Sequence, residues 1–248
     1  MKLSVCLNAV GDYNRIDAMR LARDIGYTAV EFWEGSFPLD EYKAGLDEAG
    51  LALACMGGAG NLVDASKRSE FIESLKASLA NAKALGAQNM IAIAGQELDG
   101  VPRDIQMQSI VDGLKEAAKL LSDTNITLVL EPLNVLVDHK GYFLYRSSEA
   151  FEITRAVNSP NVKILFDIYH QQISEGNLIA NITNNIDQIG HFHIAGNPGR
   201  GEPYLGEINY REVLRAIDET GYSGYVGLEY WAKRDSVEEA LKRCLSDL

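Results

Sequence analysis

Eight short runs of β-branched and aliphatic residues recur along the chain, and segments of helical periodicity alternate with them. The apolar runs occupy residues 3–8, 29–33, 51–56, 89–95, a run closing at 131, then 162–167, 191–195 and 225–229. The helical segments are 14–25, 39–50, 66–85, 104–121, 147–157, 177–189, 209–220 and 236–245. Strands separated by helices pair in parallel through right-handed crossovers. Eight such units predict a closed barrel rather than an open sheet, and 248 residues is close to the ~250 typical of one. The expected fold is therefore α/β, a single (β/α)8 barrel domain spanning residues 1–248, with no Pro/Ser linker or charge run to divide it.

Local signals support the alternation. The first helix should bury Ile16, Met19 and Ala22 on one face and stop at Gly26. Ser147 or Ser148 is an expected N-cap, as is Ser236, which is followed by Glu238 and Glu239 in the first turn. Gly57, Gly58 and Gly60 read as a loop passing close to a site, because they lack the spacing of a dinucleotide or phosphate-binding loop.

Four of the later apolar runs end in a side chain able to bind a metal: Glu131, Asp167, His193 and Glu229. They are 36, 26 and 36 residues apart, one for each successive βα unit. A barrel gathers the C-terminal ends of its strands on one face, where active sites sit. Two Glu, one Asp and one His then face a common point. This mixed nitrogen and oxygen set suits Mn²⁺, Mg²⁺, Co²⁺ or Zn²⁺ and lacks soft thiolates. His191 shares the strand face of His193 and reads equally as a packed barrel histidine.

Further side chains fall near the same mouth. His170 lies three residues past Asp167, in what reads as a loop, and Arg200 sits in the loop NPGRGEP. An Arg there offers a bidentate partner for a carboxylate or phosphate. Glu34 is a candidate for binding a substrate hydroxyl, and Trp33, Phe37 and Trp231 are candidates for the pocket wall.

Charge and composition narrow the partners. The net charge of −12 argues against a nucleic-acid backbone, whose binding needs clustered Lys and Arg. Cys6, Cys55 and Cys244 are odd in number and form no CxxC pair, so neither a disulfide framework nor a thiolate zinc site is expected. The N-terminus has too short an apolar run for a signal peptide, and no run of ~18 apolar residues exists to span a bilayer. The expectation is a cytoplasmic protein with a small hydroxycarbonyl or sugar substrate and no nucleic-acid or membrane partner. A homo-oligomer is compatible with this sequence.

At these residues the chain resembles the xylose-isomerase-like TIM barrel superfamily of sugar isomerases and epimerases, and within it the hydroxypyruvate isomerases. The segments that carry the likeness are LEPLN with GYFL at 141–144, FDIYH at 166–170, GH at 190–191 followed by NPGRGEP and GEINY, and VGLEY at 226–230. The resemblance implies that Glu131, Asp167, His193 and Glu229 bind one divalent metal, Mn²⁺ or Mg²⁺ first. It also implies that Glu131 and Glu229 are the acid–base pair and that His170 and Arg200 touch substrate. Hydroxypyruvate isomerases commonly carry Gln where this chain has His193, whereas ketose 3-epimerases carry His. The segment VLVDHKGYFL also departs from the shorter, Pro-Gly-containing loop of the former.

The implied chemistry is removal of a proton α to a carbonyl. A divalent cation stabilises the developing enediolate as a Lewis acid. One Glu removes the proton and the other returns it, with different protonation states set by different surroundings. The expected reaction is isomerisation of a short α-hydroxycarbonyl compound, hydroxypyruvate to tartronate semialdehyde. The alternative is a ketose 3-epimerase, or another sugar isomerase or epimerase, using the same residues. A metal-dependent phosphodiesterase on this barrel would want more metal ligands, typically additional His and Glu, and a basic groove, which four His in total and a net charge of −12 disfavour.

Overall fold

The computed structural model describes residues 2–34 and 36–248. Eight parallel strands pair in sequence order and close into one barrel. They are β1 (Lys2–Cys6), β2 (Ala29–Phe32), β3 (Ala52–Ala59), β4 (Asn89–Ile93), β5 (Thr127–Glu131), β6 (Val162–Asp167), β7 (Ile189–Ile194) and β8 (Tyr225–Leu228). The seam is β1 against β8, in register from Lys2 opposite Tyr225 to Val5 opposite Leu228.

Nine α-helices among the described residues surround the strands. They are α1 (Arg15–Ile25), α2 (Leu39–Ala49), α3 (Arg68–Leu85), α4 (Arg103–Leu121), α5 (Ser147–Val157), α6 (Ile168–Ser174), α7 (Leu178–Thr183), α8 (Tyr210–Glu219) and α9 (Val237–Asp247). The stop signal acts as the sequence predicts at α1, and the structure adds a cap at its start. Asn14 accepts from the Asp17 amide, and Gly26 closes the helix at φ 115°, a left-handed backbone that glycine adopts without steric penalty. Met19 and Ala22 are fully buried on the predicted face. At α9 the Ser236 hydroxyl accepts from the Glu239 amide, the expected cap.

Four local expectations are corrected. Ser147 opens α5 rather than capping it, because Arg146 holds the cap position and the Ser147 hydroxyl donates to Glu175. The span 177–189 is not one helix: α7 ends at Thr183, a 3-10 turn covers Ile186–Gln188, and β7 begins at Ile189. The extra helix, α6, starts directly after β6 because the Asp167 carboxylate caps it, accepting from the amides of Tyr169 and His170 at 2.8 and 3.2 Å. Gly57 and Gly58 continue β3 rather than forming a loop. A Cβ on Gly58 would stand 2.4 Å from the carbonyl oxygen of Ile91, so the strand passes β4 there only without a side chain.

Side-chain alternation along each strand sorts the interior into layers. Cys55, Ile91, Val129 and Leu165 form a small buried cluster of their own, apart from the large core that residues such as Leu128, Leu130 and Phe166 share with the helices. Register puts Leu165 beside His191, and His193 beside both Asp167 and Gly227. Glu131, Asp167, His193 and Glu229 each lie two residues beyond another position of the same strand run that shares their face (Val129, Leu165, His191 and Gly227). They therefore point inward one layer nearer the C-terminal mouth.

Gly227 has a specific reason to lack a side chain. A Cβ there would sit 1.8 Å from Glu31 Oε1 and 2.7 Å from His193 Cδ2. Its absence makes room for a buried carboxylate below the mouth. The three cysteines are free and buried, and no described helix is long and apolar enough to cross a membrane.

Candidate active site

Glu131, Asp167, His193 and Glu229 are all buried, and each offers one donor atom within 4.8 Å of the others'. His193 Nδ1 faces Glu229 Oε2 at 3.1 Å and Glu131 Oε1 at 3.9 Å. Neither nitrogen of this buried imidazole makes an aligned hydrogen bond. Buried polar groups are normally satisfied. An unsatisfied imidazole among three carboxylates is a donor set that fits one divalent cation, and these four residues could hold it.

The carboxylates are anchored in different ways. Glu229 Oε1 accepts from the Trp33 indole at 2.8 Å, and Oε2 accepts from Arg200 Nη2 at 2.6 Å. Asp167 gives Oδ1 to the α6 cap and turns Oδ2 toward Arg200, 3.5 Å away. Below them Glu31 Oε2 pairs with His191 Nε2 at 2.6 Å, and its Oε1 lies 3.4 Å from His193 Nε2. A carboxylate on the far nitrogen of a ligating histidine fixes the ring and strengthens it as a donor.

These settings drive the titrations apart. Burial pushes the Glu131 carboxyl up to about 8, and the charges of Glu229 and Asp167 add to the rise against the pull of His193 and Arg200. At Glu229 burial also opposes ionisation, but His193 and Arg200 outweigh it and hold this carboxyl well below the usual range. Burial disfavours the His193 imidazolium, yet Glu31 and Glu229 together keep its pKa above the ordinary value. Two carboxyl groups pushed in opposite directions within one site are the usual setting for an acid and a base.

Glu131, Glu229, His170 and Arg200 line one end of a cavity of about 440 Å³. Trp33, Ile91, Ile93, Leu133 and Trp231 make its apolar wall. Arg200 is held by its surroundings: its backbone lies in the left-handed region at φ 57° and its carbonyl accepts from the Trp231 amide. Its guanidinium lies over the rings of Tyr169 and Trp231, at 5.4 and 5.3 Å from their centres. A non-glycine residue in that backbone region is uncommon and tends to mark a functional turn.

A family model described as xylose isomerase-like TIM barrel matches residues 19–247. The chain belongs to that family. It is 32% identical over 238 residues to a hydroxypyruvate isomerase of Escherichia coli (strain K12), covering 89% of each protein. It is also 32% identical over 228 residues to a 2-oxo-tetronate isomerase of Cupriavidus necator (strain ATCC 17699), covering 87% of this chain and 86% of the relative. Among solved structures it matches an AP endonuclease, family 2, from Brucella melitensis with a TM-score of 0.91 and 28% identity over 97% of each chain.

Within this xylose isomerase-like barrel, six of the seven residues singled out from the sequence meet at the mouth. His170 is in the first turn of α6 rather than a loop, and it is fully buried. Glu34 is the exception. It pairs with Arg15 of α1, whose other nitrogen donates to the Leu7 carbonyl at 2.6 Å, and it does not line the cavity. Phe37 likewise packs on Phe32 and Tyr42 instead of the cavity wall. The sequence reading missed Glu31, His139, Asn134 and Tyr169. Glu31 had a signal, a lone charge inside the apolar run AVEFW. His139, which lines the cavity from the β5–α5 loop, had none.

Proposed function

We propose that this protein is a divalent-metal-dependent isomerase of a short α-hydroxycarbonyl acid, of the hydroxypyruvate or 2-oxo-tetronate type. The observation that carries the reading is the pair Glu131 and Glu229. They line one cavity from β5 and from the end of β8, both close to His193 Nδ1, and their surroundings favour opposite protonation states. The names of the relatives from Escherichia coli and Cupriavidus necator support the same class of substrate.

A cation held by Glu131, Asp167, His193 and Glu229 would supply electrophilic stabilisation of negative charge growing on the substrate oxygens. This chain's own groups do the rest. One glutamate takes the proton from the carbon next to the carbonyl, and the other returns a proton to the neighbouring carbon. Arg200 holds the substrate's terminal carboxylate, and its buried Nε, which has no partner, is free to donate. The indole and aliphatic wall keeps water from the enediolate. The cavity of about 440 Å³ leaves room for substrates longer than three carbons. His193 also favours a second reading, ketose 3-epimerisation by the same two glutamates.

The deciding experiment incubates the Mn²⁺- or Mg²⁺-loaded protein with hydroxypyruvate, 2-oxo-tetronate and a panel of ketoses, with products identified by NMR. Conversion of one of the two acids is expected. Turnover of ketoses alone would replace this reading with the epimerase one, and no turnover of any would overturn both.

Arg200→Lys should raise KM for the acid substrate about tenfold or more, since an ammonium cannot reproduce the planar fork or its stacking on Trp231. Metal content should be unchanged. Steady-state kinetics equal to the parent's would remove Arg200 from substrate binding.

A further inference from the structure

The loop after β5 carries a residue that no part of the reaction above uses, Asn134, the last residue of LEPLN. Its side chain is fully buried. Its Oδ1 accepts from the amides of Val137 and Asp138 at 3.0 and 3.2 Å. A backbone N–H only donates, so these two contacts fix which end of the amide is oxygen. The Nδ2 end therefore points the other way, donating to Asp138 Oδ2 at 2.7 Å and lying 2.6 Å from His170 Nδ1. The backbone N–H of Asn134 approaches the same ring nitrogen at 3.4 Å.

Two donors thus converge on His170 Nδ1, and a proton on that nitrogen would face both. Nδ1 must act as an acceptor, so the ring's single proton lies on Nε2. That nitrogen is buried without a hydrogen-bond partner, in a residue that lines the cavity, with Asp167 Oδ2 no nearer than 3.5 Å. We propose that Asn134 is a positioning residue that locks His170 in the Nε2–H tautomer, so that His170 presents a hydrogen-bond donor to a substrate oxygen. Asp138 completes the device. Its Oδ2 also accepts from the Tyr169 hydroxyl at 2.9 Å, which ties the loop to α6 and holds the Asn134 amide in place.

The tautomer can be read without any assay of activity. The chain has four histidines, so ring ¹⁵N spectra of the labelled protein contain four systems, and His170 is assigned by its loss in His170→Gln. In the parent, His170 should show a protonated Nε2 and an unprotonated Nδ1 at neutral pH. Asn134→Asp puts an acceptor where Nδ2 was and should move the proton to Nδ1. Asn134→Asp combined with Asp138→Asn should do the same without placing two carboxylates side by side, and so covers the case in which the single variant does not fold.

Either variant should also lower kcat/KM about tenfold, the effect of losing one hydrogen bond to a charged oxygen. That kinetic arm rests on the isomerase reading, whereas the spectra do not, so a failure of one is distinguishable from a failure of the other. A parent His170 protonated on Nδ1, or an unchanged His170 signature in both variants, overturns the proposal.

Discussion

Replacing Glu131 or Glu229 by Gln should lower turnover at least ~10²-fold, the low end for one acid–base group, while the barrel stays folded. The reason is chemical rather than steric. Gln keeps the shape and a neutral oxygen but can neither take nor return a proton. The two variants should differ in structure. Glu131 accepts no hydrogen bond that would be lost, and burial already favours its neutral form, so Glu131→Gln should leave stability close to the parent's. Glu229 accepts from both Trp33 and Arg200. A Gln there must turn its NH₂ toward one of these donors, so Glu229→Gln should lose some stability as well as activity.

Turnover in D₂O should place deuterium on the product carbon. A variant lacking only the second glutamate should still exchange substrate hydrogen with solvent without forming product, which identifies which Glu acts first. Near-normal rates in both Gln variants, with product free of deuterium, would sink the two-glutamate mechanism in favour of a hydride shift.

The second large effect concerns the cation. Asp167→Asn should abolish tight binding of Mn²⁺ without unfolding α6. Asn can still accept the Tyr169 and His170 amides through its oxygen, as a good cap does. Its NH₂ then occupies the position of Oδ2 and cannot bind a cation. A ligand at about 100 times its Kd stabilises the folded state by ~2.7 kcal/mol, so the parent's Tm should rise clearly with Mn²⁺ while the variant's should not move. Without metal the order reverses or levels. Asp167 shares the mouth with the buried carboxyl groups of Glu131 and Glu229, and removing one like charge relieves their mutual repulsion, which offsets the loss of its 3.5 Å approach to Arg200. Equal Mn²⁺ uptake by parent and variant, measured by equilibrium dialysis, would remove Asp167 from the metal site.

The sequence alone determined the barrel and the four strand-end side chains that it gathers, Glu131, Asp167, His193 and Glu229. Apolar runs alternating with helical segments allow few closed arrangements, and a strand ending in Glu131 or Asp167 has only one face on which to gather such ends. Those signals are local: periodicity, a glycine stop, a carboxylate after an apolar run. Trp33 and Trp231 were legible as wall residues for the same reason, because strand ends carry them to the mouth.

What the sequence left open depended on contacts between distant segments. Whether Glu34 faced substrate was decided by Arg15, which takes its carboxylate from another element. His170 is buried because Asp167 starts a helix at once and the β5–α5 loop folds over it. The role of Glu31 required β2, β7 and the missing side chain of Gly227 to come together across the barrel. A charge within a strand shows in one dimension, but its hydrogen-bond partner His191 lies 160 residues away. Only closure of the barrel brings them within hydrogen-bond distance, and that closure decides which polar groups meet the substrate and which hold the others in place.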